Sequence, residues 1–397
     1  MIMRKNNWKT TAIVALLSIS MLLPATSGSA AAAFAVTPKD VTTHKATATE
    51  PTATSDSKAT PPILETDVAS ASNGCTMLGI YGSYYSQAQE ALDKLNEIRK
   101  EACIAGNVPD PRDPSRMLTS DDYKPLKWSR DLESIARIRA AEAGISYHFM
   151  ASGHDRPNDK DTFSLSFHGV SSNCEDLAYC WEKSMIEGVI LWKSEQTDWV
   201  NQNLANETGH YRSMINPKYN YVGLGDFYSE AAPYPNTVAG EFSTRTGLNE
   251  TMQDVQTDVI QKVEISNKYI KENFLDGTDT INTEQTSSLT AKVRLERTRS
   301  NGNVSTREIW SVQPLTYSSS DRTIATVDNN GNVTGLTNGD VTITAKADNT
   351  IFATKTVHIS CAHTRKETGY TPATCTKNGS RTYHCDTCNK DFEEIIP

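Results

Sequence analysis

The sequence has 397 residues and carries 39 Lys and Arg against 48 Asp and Glu, which gives a formal net charge of −9. This length leaves room for two or three domains of roughly 100–200 residues each. An acidic chain lacks the positive surface that binds phosphate backbones, so no nucleic-acid partner is expected. No apolar run approaches the roughly 20 residues of a transmembrane helix, so no membrane span is expected either.

The N-terminus has the pattern of a secretory signal peptide. Basic residues precede the apolar stretch 11–23, and small residues follow it up to Ala35. This order predicts a signal peptide over 1–35 and a secreted or cell-surface protein. Residues 36–74 are rich in Thr, Ala, Ser and Pro and show no periodicity, which predicts a disordered linker.

Helical patterns come first in the next segment and strand patterns last, which predicts an α+β domain over 75–246. Apolar residues at a spacing of three and four predict a helix within 84–104. Ser129 is a good N-cap for a second helix, and Asn173 predicts the start of a third helix that runs towards Trp192. Shorter apolar segments predict strands at 221–225 and 237–243.

Four ionisable residues of this domain are candidates for one site: His154, Glu175, Glu195 and His210. Two imidazoles and two carboxylates in one cleft would suit a divalent metal, or one His and one Glu acting as acid and base. Each residue also has a simpler explanation. Glu175, for example, lies in the first turn of the predicted third helix, where a negative charge is favourable in any case.

Six short motifs follow one another through this region. They are Leu126-Lys127-Trp128, His154-Asp155-Arg156-Pro157, Glu175-Asp176-Leu177-Ala178, Trp192-Lys193-Ser194-Glu195, Gly209-His210-Tyr211-Arg212-Ser213-Met214 and Tyr221-Val222-Gly223-Leu224-Gly225. Their order resembles the CAP superfamily (cysteine-rich secretory proteins, antigen 5 and pathogenesis-related proteins) and its bacterial SCP-type members. The resemblance covers 84–243. It implies an α-β-α sandwich with a central cleft that holds two His and two Glu, here His154, Glu175, Glu195 and His210.

The sequence departs from the bacterial pattern beside these residues. Cys174 and Asp176 flank Glu175 where the pattern has Gly and Asn, and Asp159 replaces a Gly after the first His motif. These changes keep the four cleft residues but add a charge or a thiol close to them. They therefore bear on the choice of ligand more than on the fold.

The resemblance implies ligand binding, with lipids and sterols among the ligands, more than a defined reaction. We expect an extracellular small molecule, lipid or cell-surface ligand, with His154 and His210 able to hold Zn²⁺ or another divalent cation. One alternative is a metal-dependent peptidase- or esterase-like hydrolase with Glu175 or Glu195 as base. No Gly-x-Ser-x-Gly motif is present, and nothing marks Cys174 as an activated thiol. A second alternative is a structural adhesin with a vestigial cleft.

Four cysteines lie in or just before this domain, and an exported protein can form disulfides. Four cysteines allow three pairings, which the sequence leaves open. Cys174 and Cys180 within one helix would lie about 9 Å apart along its axis, beyond the reach of a disulfide. They can pair only if Cys174 precedes the helix. The cysteines are Cys75, Cys103, Cys174 and Cys180.

An alternating pattern replaces the helical one further along the chain and predicts a β-sandwich over 252–360. Asn330-Gly331 is a strong hairpin signal. The segment 252–263 is compatible with a short helix or with the entry strand of the sandwich. Residues 315–346 resemble the group 2 bacterial immunoglobulin-like domain, which implies a passive stalk or an adhesion module.

The last segment, 361–397, has too little core to fold alone and needs a covalent or metal crosslink. Cys385-x-x-Cys388 can present two thiolates to one Zn²⁺, while Cys361, His363 and Cys375 compete for the other two positions. Two disulfides would serve equally well. No Leu-Pro-x-Thr-Gly sorting motif is present, so covalent attachment to the cell wall is not expected.

Overall fold

The computed structural model describes residues 61–85, 87–361 and 363–397. The predicted signal peptide and most of the predicted linker lie outside these residues. The helices are α1 (Ala88–Ile104), α2 (Arg130–Ser146), α3 (Met185–Lys193), α4 (Gln196–Val200) and α5 (Gly209–Ile215), with 3-10 turns at Ser120–Asp122, Thr162–Ser164 and Asn267–Tyr269. Within the described chain, none of these helices has the length and apolar character to cross a bilayer.

Strands make up most of the remaining regular structure. The strands up to residue 243 are β1 (Ile63–Leu64), β2 (Cys75–Tyr84), β3 (Pro109–Asp110), β4 (Asp113–Met117), β5 (Lys127–Trp128), β6 (Cys174–Cys180), β7 (Tyr221–Tyr228) and β8 (Asn236–Ser243). The next are β9 (Gln256–Ser266), β10 (Ile270–Asp276), β11 (Thr280–Asn282), β12 (Thr286–Ser288), β13 (Thr290–Thr298), β14 (Val304–Ser311), β15 (Thr316–Ser319), β16 (Ala325–Val327), β17 (Asn332–Gly335), β18 (Gly339–Ala347) and β19 (Thr350–Ser360). The tail contains β20 (Lys366–Thr371), β21 (Gly379–Cys385) and β22 (Lys390–Ile396).

The first domain is an α-β-α sandwich, as the family resemblance implied. Its sheet runs β5-β7-β8-β6, with antiparallel pairs apart from the parallel β5–β7 pair. Helix α2 packs on one face of the sheet, and α1, α3 and α5 pack on the other. The predicted N-cap of α2 is confirmed, because Ser129 Oγ accepts a hydrogen bond from the N–H of Leu132 at 3.4 Å.

Two glycines of β7 allow helix α2 to lie directly on the sheet. A Cβ on Gly223 would overlap the backbone nitrogen of Glu133, and a Cβ on Gly225 would meet the backbone of Arg137. A larger residue at either position would push the helix away from the strand. The Gly-x-Gly sequence of this strand therefore sets how close the two layers come.

The predicted third helix is wrong in its first half, because residues 174–180 form strand β6 and the helix begins only at Met185. On β6, Leu177 packs towards α2, whereas Ala178 and Cys180 pack towards the other helical layer. Both faces are buried, so the segment lacks the alternation of polar and apolar residues that identifies a strand. Its antiparallel pairing with β8 decides the conformation.

Strand β2 joins this sheet to strands from the second half of the chain. It pairs with β9 from Cys75↔Ser266 to Tyr84↔Gln256, pairs with β14, and meets β7 at Ser83↔Tyr228. The sheet continues through β14, β13 and β10. Segments that the sequence assigned to two domains, 75–246 and 252–360, thus share one sheet, and the ambiguous segment after residue 252 contributes a strand.

The end of the predicted disordered linker differs from the expectation. Ile63 and Leu64 form β1, which pairs in parallel with β9. The N–H of Ser72 donates to Glu264 Oε1 at 2.6 Å. Residues 61–74 therefore have defined contacts with β9, which the polar composition of the segment did not indicate.

A β-sandwich follows, with the sheets β11-β19-β18-β15 and β12-β17-β16. Its core includes Val333, Ile343, Val357 and Ile359, which are completely buried. The predicted hairpin turn is confirmed between β16 and β17, where Gly331 adopts a φ of +81° that a residue with a side chain rarely takes. The tail then adds the antiparallel sheet β20-β21-β22.

Candidate functional site

The four predicted cleft residues form two imidazole–carboxylate pairs. Nδ1 of His154 lies 2.7 Å from Oε1 of Glu175, and Nδ1 of His210 lies 2.5 Å from Oε1 of Glu195. Both rings reach solvent, because the His154 side chain is 25% exposed and the His210 side chain 18%. The structure gives Nε2 of neither ring a hydrogen-bond partner among the described residues.

Glu175 is positioned by strand β6 and by a buried arginine of α2. Nε of Arg139 donates to Glu175 Oε2 at 2.5 Å, and Nη1 of the same arginine donates to Glu142 Oε2 at 2.7 Å. Arg156 completes the network by donating to Glu142 Oε1 at 2.7 Å. Burial favours the neutral acid, but the charges of Arg139 and His154 outweigh it and lower the pKa of Glu175 to about 2.

A second acidic side chain lies against Glu175 on the neighbouring strand. Glu241 of β8 is the pairing partner of Glu175 in the sheet and is only 1% exposed. Burial and the negative charge of Glu175 raise the pKa of Glu241 well above its usual value. The raised pKa of Glu241 favours its neutral form beside Glu175.

The second pair is built at the start of α5. Oε2 of Glu195 accepts the backbone N–H groups of His210 at 2.9 Å and of Tyr211 at 3.1 Å, so the carboxylate holds both the ring and the first turn of the helix. Burial favours the neutral imidazole, yet Glu195 and Asp176 overcome it and raise the pKa of His210 to about 9. His210 is therefore a cation at neutral pH.

Asp176 interacts with members of both pairs. It follows Glu175 on β6, so its side chain points to the opposite face of the sheet, towards α5. It is 2% exposed, its Oδ2 has no hydrogen-bond partner within the described structure, and it interacts electrostatically with Glu175, Glu195 and His210. Burial raises the pKa of Asp176 well above its usual value. Glu175 belongs to the first pair, and Asp176, the next residue of β6, interacts electrostatically with the second pair.

Sequence reasoning missed the supporting residues Arg139, Glu142, Asp176 and Glu241 as parts of the site. One signal was available for the first two: they are opposite charges three positions apart within 138–145, where every other residue is Ala, Ile or Gly. Such an apolar stretch predicts burial, and buried charges need partners.

The thiols of the first domain do not supply a nucleophile or a crosslink. Cys174 Sγ lies 3.1 Å from Ser213 Oγ, and burial raises the pKa of Cys174 to about 12. Cys174 and Cys180 are six residues apart on one strand, about 20 Å at 3.3 Å per residue, so they cannot form a disulfide. The structure holds all eight cysteines of the chain as free thiols, so the expected disulfides are not seen.

The tail brings together a different set of ligand-type residues. The ligand atoms of Cys361, His363, Cys385 and Cys388 all lie within 4.8 Å of one another, so the group could hold a metal ion. Cys375, which the sequence also offered as a ligand, is exposed and lies outside this group. Across residues 61–85, 87–361 and 363–397, the tail group is the only such set of three or more close ligands, and the cleft pairs do not form one.

Family models match two parts of the chain. Residues 92–242 match the cysteine-rich secretory protein family, CAP, and residues 281–357 match the bacterial Ig-like domain, group 2. Both resemblances expected from the sequence are confirmed, in the expected order. No curated protein matches the chain. Both domain types are typical of extracellular proteins.

Proposed function

Since residues 92–242 form a CAP domain and residues 281–357 a bacterial Ig-like domain, we propose that this is an exported bacterial protein that binds an extracellular ligand in its CAP cleft. The ligand is a small molecule, a lipid or a cell-surface group. The observation that carries the proposal is the pair of imidazoles, His154 and His210. Each is held at Nδ1 by a carboxylate, and Nε2 of each has no hydrogen-bond partner in the part of the chain that the structure describes.

The charge of the second pair indicates which part of a ligand it would contact. His210 is protonated at neutral pH, because its pKa is about 9, and Nε2 then carries a hydrogen. A cationic N–H donor favours an oxygen with negative charge, such as a carboxylate or phosphate, over a cation. We therefore propose that the acidic end of the ligand lies against His210.

A divalent cation is the second candidate ligand of the cleft. Histidines whose second nitrogen is bound by a carboxylate are the usual metal ligands in proteins, and both rings have this arrangement. A metal would have to displace the proton from His210, so its binding would strengthen as the pH rises towards 9. The metal and the anionic ligand thus have opposite pH dependences.

The carboxylates give less support to a hydrolase. Glu175 is bound by Arg139 and His154, and a carboxylate with a pKa of about 2 is a weak base. Glu195 accepts three hydrogen bonds from the first turn of α5 and the His210 ring. Both groups position a histidine, which fits a binding cleft better than a catalytic one.

Calorimetric titration of the full chain at pH 7 with dodecanoate, used as an anionic lipid probe, tests the proposal. We expect binding to be lost in His210→Gln. His168→Gln is the matched control, since His168 also pairs with a carboxylate, Asp131, but its side chain is 86% exposed. Equal heats for His210→Gln and the unsubstituted protein would overturn the anionic-ligand proposal.

A further inference from the structure

The Cys–His cluster, defined as Cys361, His363, Cys385 and Cys388, brings four metal-ligand atoms within 4.8 Å of one another. Cys361 Sγ and Cys385 Sγ are 3.5 Å apart, and Cys388 Sγ is 3.2 Å from Nδ1 of His363. A tetrahedral Zn²⁺ with Zn–S bonds of about 2.3 Å places its sulfurs about 3.8 Å apart. The observed separations are therefore close to those that one ion would require.

The backbone around the cluster supports the same arrangement. The N–H of His363 donates to Cys361 Sγ at 3.3 Å, and the N–H of Asn389 donates to the carbonyl of Cys385 at 2.8 Å, which closes the turn between β21 and β22. This turn presents Cys385 and Cys388 to the same point. The ring of His363 is also held, because it packs edge-on against Phe392 with the ring centres 4.8 Å apart.

Apart from the Cys–His cluster, the tail has almost no buried core to stabilise it. Among residues 363–397, Gly379 and Cys385 alone are buried, and the apolar clusters of the molecule contain no tail residue. A segment of this size without a core does not fold alone in water. Its three-stranded sheet needs a crosslink, and the cluster lies where a crosslink would act.

The four ligands come from two different parts of the chain. Cys361 follows β19, the last strand of the Ig-like sandwich, whose Ile359 is completely buried. Cys385 ends β21, and Cys388 lies just before β22. An ion held by all four residues would therefore tie the tail sheet to the end of the Ig-like domain.

We propose that Cys361, His363, Cys385 and Cys388 bind one structural Zn²⁺, which folds the tail and anchors it to the Ig-like domain. Three thiolates and one imidazole are a donor set that selects Zn²⁺ over Mg²⁺ or Ca²⁺, which prefer oxygen ligands. On binding, the thiols lose three protons to solvent and the four ligands complete the tetrahedron, so no position stays open for a substrate. This site is independent of the cleft and of its ligand.

Metal analysis of the full chain, purified with a thiol reductant and reloaded with Zn²⁺, tests the proposal. We expect about one tightly bound zinc per chain, lost in Cys388→Ser and retained in Cys375→Ser, whose cysteine lies outside the cluster. The variant His154→Ala/His210→Ala should also retain the ion, which separates this site from the cleft. Replacing Zn²⁺ with Co²⁺ should give a sulfur-to-metal charge-transfer absorption that Cys388→Ser abolishes.

Three results would overturn the proposal. The reduced, reloaded protein could contain no zinc, Cys375→Ser could lose the ion as completely as Cys388→Ser does, or mass spectrometry of the protein purified without reductant could find Cys361 and Cys385 joined by a disulfide. Should Cys388→Ser be too poorly folded to assay, His363→Cys keeps a four-ligand site and is expected to retain one zinc.

Discussion

The cleft pairs of the CAP domain and the Cys–His cluster of the tail are both groups of metal-binding residue types, but different forces hold them in place. In the cleft, Glu175 is fixed by a buried arginine and by a strand with two buried faces. In the tail, the ligands lie in a sheet with almost no buried residues. A preformed core can position polar groups without an ion, whereas a segment without a core needs the ion to fold.

The largest effect is expected when the metal is removed from the tail. Removal of Zn²⁺ by a chelator should unfold 363–397 and leave the CAP domain folded, because structural zinc contributes about 10–16 kcal/mol to small sites. Hydrogen exchange followed by mass spectrometry would measure both regions in one sample. Protection should be lost in peptides from β20–β22 and kept in peptides from β6–β8. Equal loss in both regions would contradict the comparison.

The largest effect in the CAP domain is expected for Arg139→Met. The substitution leaves Glu175 and Glu142 buried without their shared cation, a change that costs about 3–5 kcal/mol. Urea unfolding would measure it. Lys127→Met is the control, since the exposed pair Lys127–Glu250 should contribute at most about 1 kcal/mol. A similar small loss for both variants would show that the buried network does not hold the cleft.

A smaller effect is expected for Gly223→Ala. The added Cβ would overlap the backbone of α2, and forced repacking of this kind costs about 1–3 kcal/mol. The thermal midpoint of the CAP domain should fall. Gly209→Ala serves for comparison, because a Cβ there meets nothing within 4 Å. Were Gly223→Ala as stable as the unsubstituted protein, the close approach of helix and sheet would not matter.

The last expected effect is a pH dependence of opposite sign in the two regions. The pKa of His210 is raised from 6.5 to about 9, so its contribution to folding is fully present below pH 6.5 and is lost as the pH rises through 9. The zinc-bound tail should behave in the opposite way, because acid returns protons to its thiolates. His210→Gln should flatten the CAP profile between pH 6.5 and 9 and leave the acid release of zinc unchanged. Unfolding midpoints measured between pH 6.5 and 9, and zinc release measured as the pH falls into the acid range, would check both signs.

Much of the fold follows from local sequence signals. Ser129 caps α2 because its side chain reaches the N–H of Leu132, and Asn330-Gly331 closes a hairpin because Gly331 tolerates a positive φ. These features depend on residues a few positions apart. The sequence alone therefore predicts the N-cap and the hairpin, and the structure confirms both.

The errors come from contacts between distant positions. Strand β6 has the composition of a helix start, and only its partner β8, some sixty residues later, makes it a strand. The pairing of β2 with β9 joins segments that the sequence assigned to different domains. In the tail, His363 rather than Cys375 completes the cluster, because the return of β21 to the end of β19 brings some ligands together and leaves Cys375 exposed.

The sequence by itself determined the order of the domains and the two resemblances, and it predicted the four cleft residues, because motifs and periodicity are properties of neighbouring positions. The tertiary structure alone decided that each histidine pairs with one carboxylate, that Asp176 and Glu241 are buried beside them, and which residues form the tail cluster. Charge balance, burial and ligand geometry depend on positions far apart in the chain, and these meet only when the chain folds.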